Sequence, residues 1–239
     1  MASERRREYL EAIGIDVWVP RVAPVVPRSA PAATAEEVTA EVAARWEALR
    51  QEVLHCTRCP LHLTRTQGVF GVGPKRCDWL VIGEAPGAEE DRRGEPFVGA
   101  AGQLLDAMLR AIGLDRTQNV YIANVLKSRP PGNRDPRPEE VAACLPYLVR
   151  QIALLKPKIM LAVGRIAAQN LLGTDAPLGR LRGQVHSFGE LNTPLVVTYH
   201  PAYLLRTPGD KRKAWEDLKF ARSLYQRLTQ GTVTDGHRT

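Results

Sequence analysis

At 239 residues the chain has room for one α/β domain of ordinary size with residues left over for a tail, and a core of that size needs no disulfides. Four cysteines (Cys56, Cys59, Cys77, Cys144), no signal-peptide pattern and no bilayer-length apolar run argue against a disulfide-framed secreted domain and a membrane protein. They point to the cytoplasm, where Cys-x-x-Cys reads as metal or redox chemistry. The net charge of +7 is unevenly spread: residues 1–125 hold 15 Lys/Arg against 17 Asp/Glu, whereas residues 126–239 hold 18 against 9, making the second half the candidate polyanion-facing surface.

In chain order, residues 1–21 form a short basic stretch whose Tyr9, Leu10, Ile13, Ile15 and Trp18 suggest a helical turn or two, either a docking peptide or a strap on the domain. Residues 22–37 are rich in Pro and Ala without periodicity and read as a linker. The domain is expected over residues 38–228, followed by a tail at 229–239. Its first helix starts near Glu36, places Val38, Val42, Trp46 and Leu49 on one face and stops at "HCTRCP". The apolar runs "DWLVIG", "NVYIANVL", "KIMLAVG" and "PLVVTYH" then alternate with helical segments, predicting a three-layer α/β/α fold around a central four-stranded parallel sheet. Pro138 with Glu139 and Glu140 marks one helix start. Ligands of such folds bind beyond the carboxyl ends of the strands, which directs attention to residues 83–91, 124–134, 164–165 and 200–206.

The first strand ends in "GEAPGAEEDRRGEPFVGAAG". Gly83 and Gly87 permit a sharp turn with close backbone approach, and Glu84 and Glu90 supply carboxylates. This is neither a phosphate-binding loop nor a dinucleotide fingerprint. Phe97 is either a core plug or a stacking platform. Asn124 ends the second strand, where its amide either pairs with an imide edge or caps a loop. His200, held extended by Pro201, can project from the last strand into a cleft. Leu204, Leu205 and Arg206 follow, with the composition of a wedge for a base stack or of side chains packed under the loop.

"GEAPG", "PFVG", "NVLKSRPPGNRDP" and "HPAYLLR", in this order at strand ends, closely resemble the family 4 uracil-DNA glycosylases, and the resemblance covers about residues 56–225. It implies hydrolysis of the N-glycosidic bond between uracil and deoxyribose in DNA, with the nucleotide flipped out of the helix. Gly83, Phe97, Asn124 and His200 would then form the uracil site. Phe97 stacks on the base, Asn124 reads its Watson–Crick edge, and His200 donates to O2 as charge develops. Glu84 or Glu90 would serve the attacking water, with Glu84 preferred for its place in the turn. Ala85 stands where the best-known uracil glycosylase class carries an Asp. Leu204, Leu205 and Arg206 would brace the gap left by the flipped base, and Arg129, Arg134, Lys211, Arg212 and Lys213 would bind phosphates. The loop "RPPGNRDP" lacks the Lys-Arg-Arg-Ile-His insertion of a subfamily that traps uracil covalently, so ordinary turnover by a monomer is expected.

The resemblance also implies an iron–sulfur cluster, in the family a [4Fe–4S] cluster on four cysteines. Cys56, Cys59 and Cys144 fall in three of those places, and Ser128 stands in the fourth. Either Ser128 ligates through oxygen, or the site holds a three-iron cluster, or Cys77 substitutes, or the cluster is labile or absent. A module that binds damaged DNA without turnover is the competing reading. Finally, the start of the chain weakly resembles that of the ψ subunit of the bacterial clamp loader, which would make residues 1–21 a tether to the replication machinery.

Overall fold

The computed structural model describes residues 35–230; the segment 1–21, the linker up to residue 34 and the tail beyond residue 230 lie outside the described residues. All four expected strands form: β1 (Trp79–Gly83), β2 (Val120–Asn124), β3 (Ile159–Val163) and β5 (Thr193–Thr198). They run parallel in the order β2-β1-β3-β5. A fifth strand, β4 (His186–Phe188), pairs antiparallel with β5 at the edge, so the sheet is mixed and five-stranded rather than purely parallel. Three residues between glycines leave too short a pattern to be read as a strand.

Each long strand alternates strictly between two buried faces. Leu80, Ile82, Tyr121, Ala123, Met160, Ala162, Leu195 and Val197 pack with α1 (Ala35–Leu54), α4 (Pro138–Leu155) and α5 (Arg165–Leu172). Trp79, Val81, Val120, Ile122, Ile159, Leu161, Val163 and Val196 pack with α3 (Ala100–Ala111), α7 (Pro201–Arg206) and α8 (Lys211–Gln230). Helices on both faces explain why the strands read as unbroken apolar runs. The short helices α2 (Ala88–Arg93) and α6 (Leu178–Leu181) complete the set among the described residues. Along α1 Trp46 and Leu49 are buried as expected and Val53 joins them, whereas Val42 is exposed, which corrects its place on that face; the side chain of Val38 lies outside the described residues.

Two features fix the strand ends. The chain passes from β1 to β2 on one side and then crosses to β3 on the other, so the crevice of this sheet opens at the carboxyl end of β1. Beside the end of β5, buried Asp217 of α8 accepts from Arg182 Nε (2.7 Å), Arg182 Nη2 (2.9 Å) and Thr198 Oγ1 (2.8 Å). This pins α8 to the strand that leads into His200. Among the described residues, no helix is long and apolar enough to cross a membrane.

Candidate active site

Gly83, Phe97, Asn124 and His200 come from loops and strand ends far apart in the chain, and the sheet brings them together at its crevice, while Glu84 follows Gly83 in the loop after β1. Gly83 is paired with Asn124 in the β1–β2 register. A methyl group on Gly83 would sit 2.4 Å from Asn124 Oδ1 and 2.6 Å from Phe97 Cζ, so only glycine leaves room for these side chains. The Phe97 ring lies 5.6 Å from the His200 ring, tilted by 30°. Gly164, at the end of β3 with φ +100°, lets the backbone pass behind His200, where an added Cβ would meet that residue's Cβ at 2.9 Å.

Phe97 itself has φ +56°, a conformation costly for an aromatic residue that persists only where its surroundings enforce it. Here they do so from two sides. Arg116 donates to the carbonyls of Pro96 (3.2 Å) and Phe97 (2.9 Å) while paired with Asp106. Glu90 accepts from the N–H groups of Val98 (3.0 Å) and Gly99 (3.2 Å) through one oxygen and of Gly87 (3.1 Å) through the other. Glu90 is therefore committed to holding the loop, whereas no hydrogen bond among the described residues restrains the carboxylate of half-buried Glu84. Burial, reinforced by Asp135 and opposed by Arg165, pushes Glu84 up to about 7. Arg116 carries no sequence signal, because its role exists only once Phe97 adopts its unusual backbone.

Two buried side-chain polar atoms among the described residues lack a hydrogen-bond partner: Trp79 Nε1, at the opposite end of β1, and Asn124 Oδ1. The second lies beside Gly83 and Phe97 and is the unpartnered acceptor of this cluster, called the cup below. His200 complements it. Its Nδ1 accepts from the Ala202 N–H at 3.1 Å, which assigns the ring proton to Nε2 in the neutral form. Burial, with Arg206 nearby, pushes its pKa down to about 4, so the ring is a neutral donor at neutral pH. The cup thus brings a flat ring, an unpartnered acceptor and an N–H donor together.

Outside the cup, the expected DNA contacts divide. Leu204 is 1% exposed and packs against the α3 and α8 face, so it is a core residue and not part of a wedge. A six-residue helix starting at Pro201 turns it inward and leaves Leu205, 44% exposed, and Arg206 outward. Lys211, Arg212 and Lys213 are exposed at the start of α8, with Lys213 also paired to Asp210. Arg134 is occupied by buried Glu140 and Arg129 by Asn133 Oδ1 at 2.7 Å, so these two brace the loop after β2.

The family model of the uracil DNA glycosylase superfamily matches residues 70–219. A type-4 uracil-DNA glycosylase of Archaeoglobus fulgidus is 45% identical over 175 residues, covering 71% of this chain and 87% of the relative. The chain belongs to this superfamily, in its type-4 branch. Relatives of the same name from Pyrobaculum aerophilum (44% identical, 71% of this chain and 89% of theirs) and Thermotoga maritima (40%, 76% and 95%) agree.

Against the cluster implied for a type-4 glycosylase, the cysteine corner gives a mixed answer. Burial pushes the Cys144 thiol up to about 11, and Cys59 and Cys56 lie near enough to add to the shift. The Cys144 sulfur accepts the Lys127 N–H at 3.0 Å. At the fourth corner, buried Ser128 accepts from Arg65 Nη1 at 2.8 Å, and the same guanidinium holds the carbonyls of Val53, Leu54 and Cys56. Among the described residues no three His, Cys, Asp or Glu side chains gather as for a single metal ion. The residues do not fit a cluster held by four protein ligands: three thiols are present, and the fourth place is a hydroxyl already engaged by a cation.

Proposed function

We propose that this protein is a uracil-DNA glycosylase that hydrolyses the N-glycosidic bond of deoxyuridine flipped out of DNA. The observation that carries the reading is the unpartnered, buried Asn124 Oδ1, facing a cup that also holds Phe97 and a His200 N–H. An extruded uracil stacks on Phe97. Asn124 Oδ1 accepts from its N3–H and the amide nitrogen donates to O4, a pattern that cytosine reverses. Water adds its oxygen to C1′ and passes a proton to Glu84, the N1–C1′ bond breaks, and its electron pair leaves with the base. The charge that collects at O2 is met by the His200 Nε2–H, a donor already in place before the bond breaks. Glu84 suits the base because its pKa lies near working pH, and Glu90 acts as a positioning residue for the Phe97 loop. Leu205 and Arg206 fill the vacated stack, and Lys211, Arg212 and Lys213 meet phosphates.

Any iron–sulfur centre would rest on Cys56, Cys59 and Cys144, and no step above depends on it. Cytoplasmic location and a monomeric state remain part of this reading, as does a clamp-loader tether in residues 1–21; deleting residues 1–30 should leave excision intact and abolish capture of the clamp loader. The deciding experiment uses a duplex with a single U:G pair. Alkali-labile cleavage at that position is expected, whereas tight binding without product would instead support the non-catalytic module.

A further inference from the structure

Lys127 is 1% exposed, among the most deeply buried side chains of the protein, and none of its described hydrogen-bond partners is a carboxylate. Its Nζ reaches the carbonyl of Asn124 (2.9 Å), Gln151 Oε1 (2.6 Å) and the carbonyl of Phe70 (3.4 Å), which together use the three N–H bonds of an ammonium. Gln151 is oriented in turn by donating to the Phe70 carbonyl at 2.9 Å. One buried amine, whose pKa burial pushes down to about 7, therefore ties the end of β2 to α4 and to the segment that precedes β1.

Such an arrangement is an expensive way to build a core, since burying a polar amine carries a desolvation cost that an apolar side chain of similar length does not. What it accomplishes lies at Asn124. The Oδ1 of that residue has no partner, so the aim of the amide depends on its own backbone. On one side that backbone is fixed by the β1 register and by the Val125 N–H on the Gly83 carbonyl at 2.9 Å. On the other, its carbonyl is held by Lys127.

We propose that Lys127 is a positioning residue for base recognition: by clamping the Asn124 carbonyl it aims an amide that no side-chain hydrogen bond restrains in the free protein. This rests on Asn124 reading the base, and the experiment separates the two ideas. Lys127→Met, Asn124→Ala and the double variant are compared in single-turnover excision, inhibition by free uracil, and binding to duplex DNA without uracil. Lys127→Met should weaken both excision and uracil inhibition by about 10- to 100-fold, as expected for a displaced group near the chemistry, with duplex affinity unchanged. In the Asn124→Ala background it should add less than about twofold, the non-additivity of residues acting through one another. Should the single variant not fold, Lys127→Met/Gln151→Leu, which also removes an orphaned acceptor, takes its place. Additive losses, a wild-type rate in Lys127→Met, or a parallel loss of duplex affinity would each overturn the positioning role while leaving base reading intact. A wild-type rate in Asn124→Ala would overturn both.

Discussion

The base cup and the cysteine corner lie at opposite ends of the segment that leaves β2, and they handle polar groups in opposite ways. In the cup, Asn124 Oδ1 is buried and left open while the surrounding backbone is fixed by Glu90, Arg116 and Lys127. In the corner, Ser128 is buried and already satisfied by Arg65. A buried acceptor without a partner costs stability, whereas one completed by the protein itself carries no such cost. The contrast is between an acceptor left without a partner among the described residues and one to which the protein supplies a donor.

The contrast is most directly broken at the cup. His200→Ala and Asn124→Ala should each lower single-turnover excision by ~100-fold or more, as for removal of a preorganised donor or acceptor, with duplex affinity little changed. Near wild-type rates in both would dismiss the site.

Glu84→Gln should cost a similar order in rate, and pH tells the two groups apart. Wild-type excision should rise tenfold per pH unit below about 7 and level off above it as Glu84 ionises, while His200, held down to about 4, adds no limb near neutrality. Because folding raises the pKa of Glu84 from 4.5, ionisation is disfavoured in the folded state, and stability falls as pH climbs from that value through about 7. The Gln variant should therefore melt above the wild type at pH 8 and level with it at pH 4. Identical melting shifts at both values would show that Glu84 is not buried as described.

At the corner, Ser128→Cys should raise the iron and sulfide recovered with anaerobically purified protein, since it supplies a fourth thiolate. Unchanged metal content would indicate that the Arg65 contact governs the corner whichever residue stands at 128. The smallest contrast is between neighbours on α7. Leu204→Ala should destabilise the fold by about 2–5 kcal/mol in denaturant titration, as for a buried leucine. Leu205→Ala should leave stability within about 0.5 kcal/mol and instead slow excision from duplex relative to single-stranded DNA.

The sheet and the positions that approach its crevice were legible because four buried parallel strands write themselves as four apolar runs, and ligand residues follow strand ends. Leu204 and Leu205 were not separable in the same way, since a helix of six residues is too short to show which leucine faces inward. Glu84 and Glu90 look alike in the sequence; only the path of the Phe97 loop reveals that one is consumed by backbone N–H groups. Lys127 was hidden for a different reason. Nothing local announces that its side chain turns into the core.

Gly83 leaves a practical lesson. Its contribution is the absence of a carbon atom, since a methyl there would press on both Asn124 Oδ1 and Phe97. Alanine scanning infers importance from what deletion removes, and at this position alanine is an addition. Gly83→Ala would displace the very side chains it sits between, and a survey that skips glycines would pass over one of the determinants of how Asn124 and Phe97 are placed.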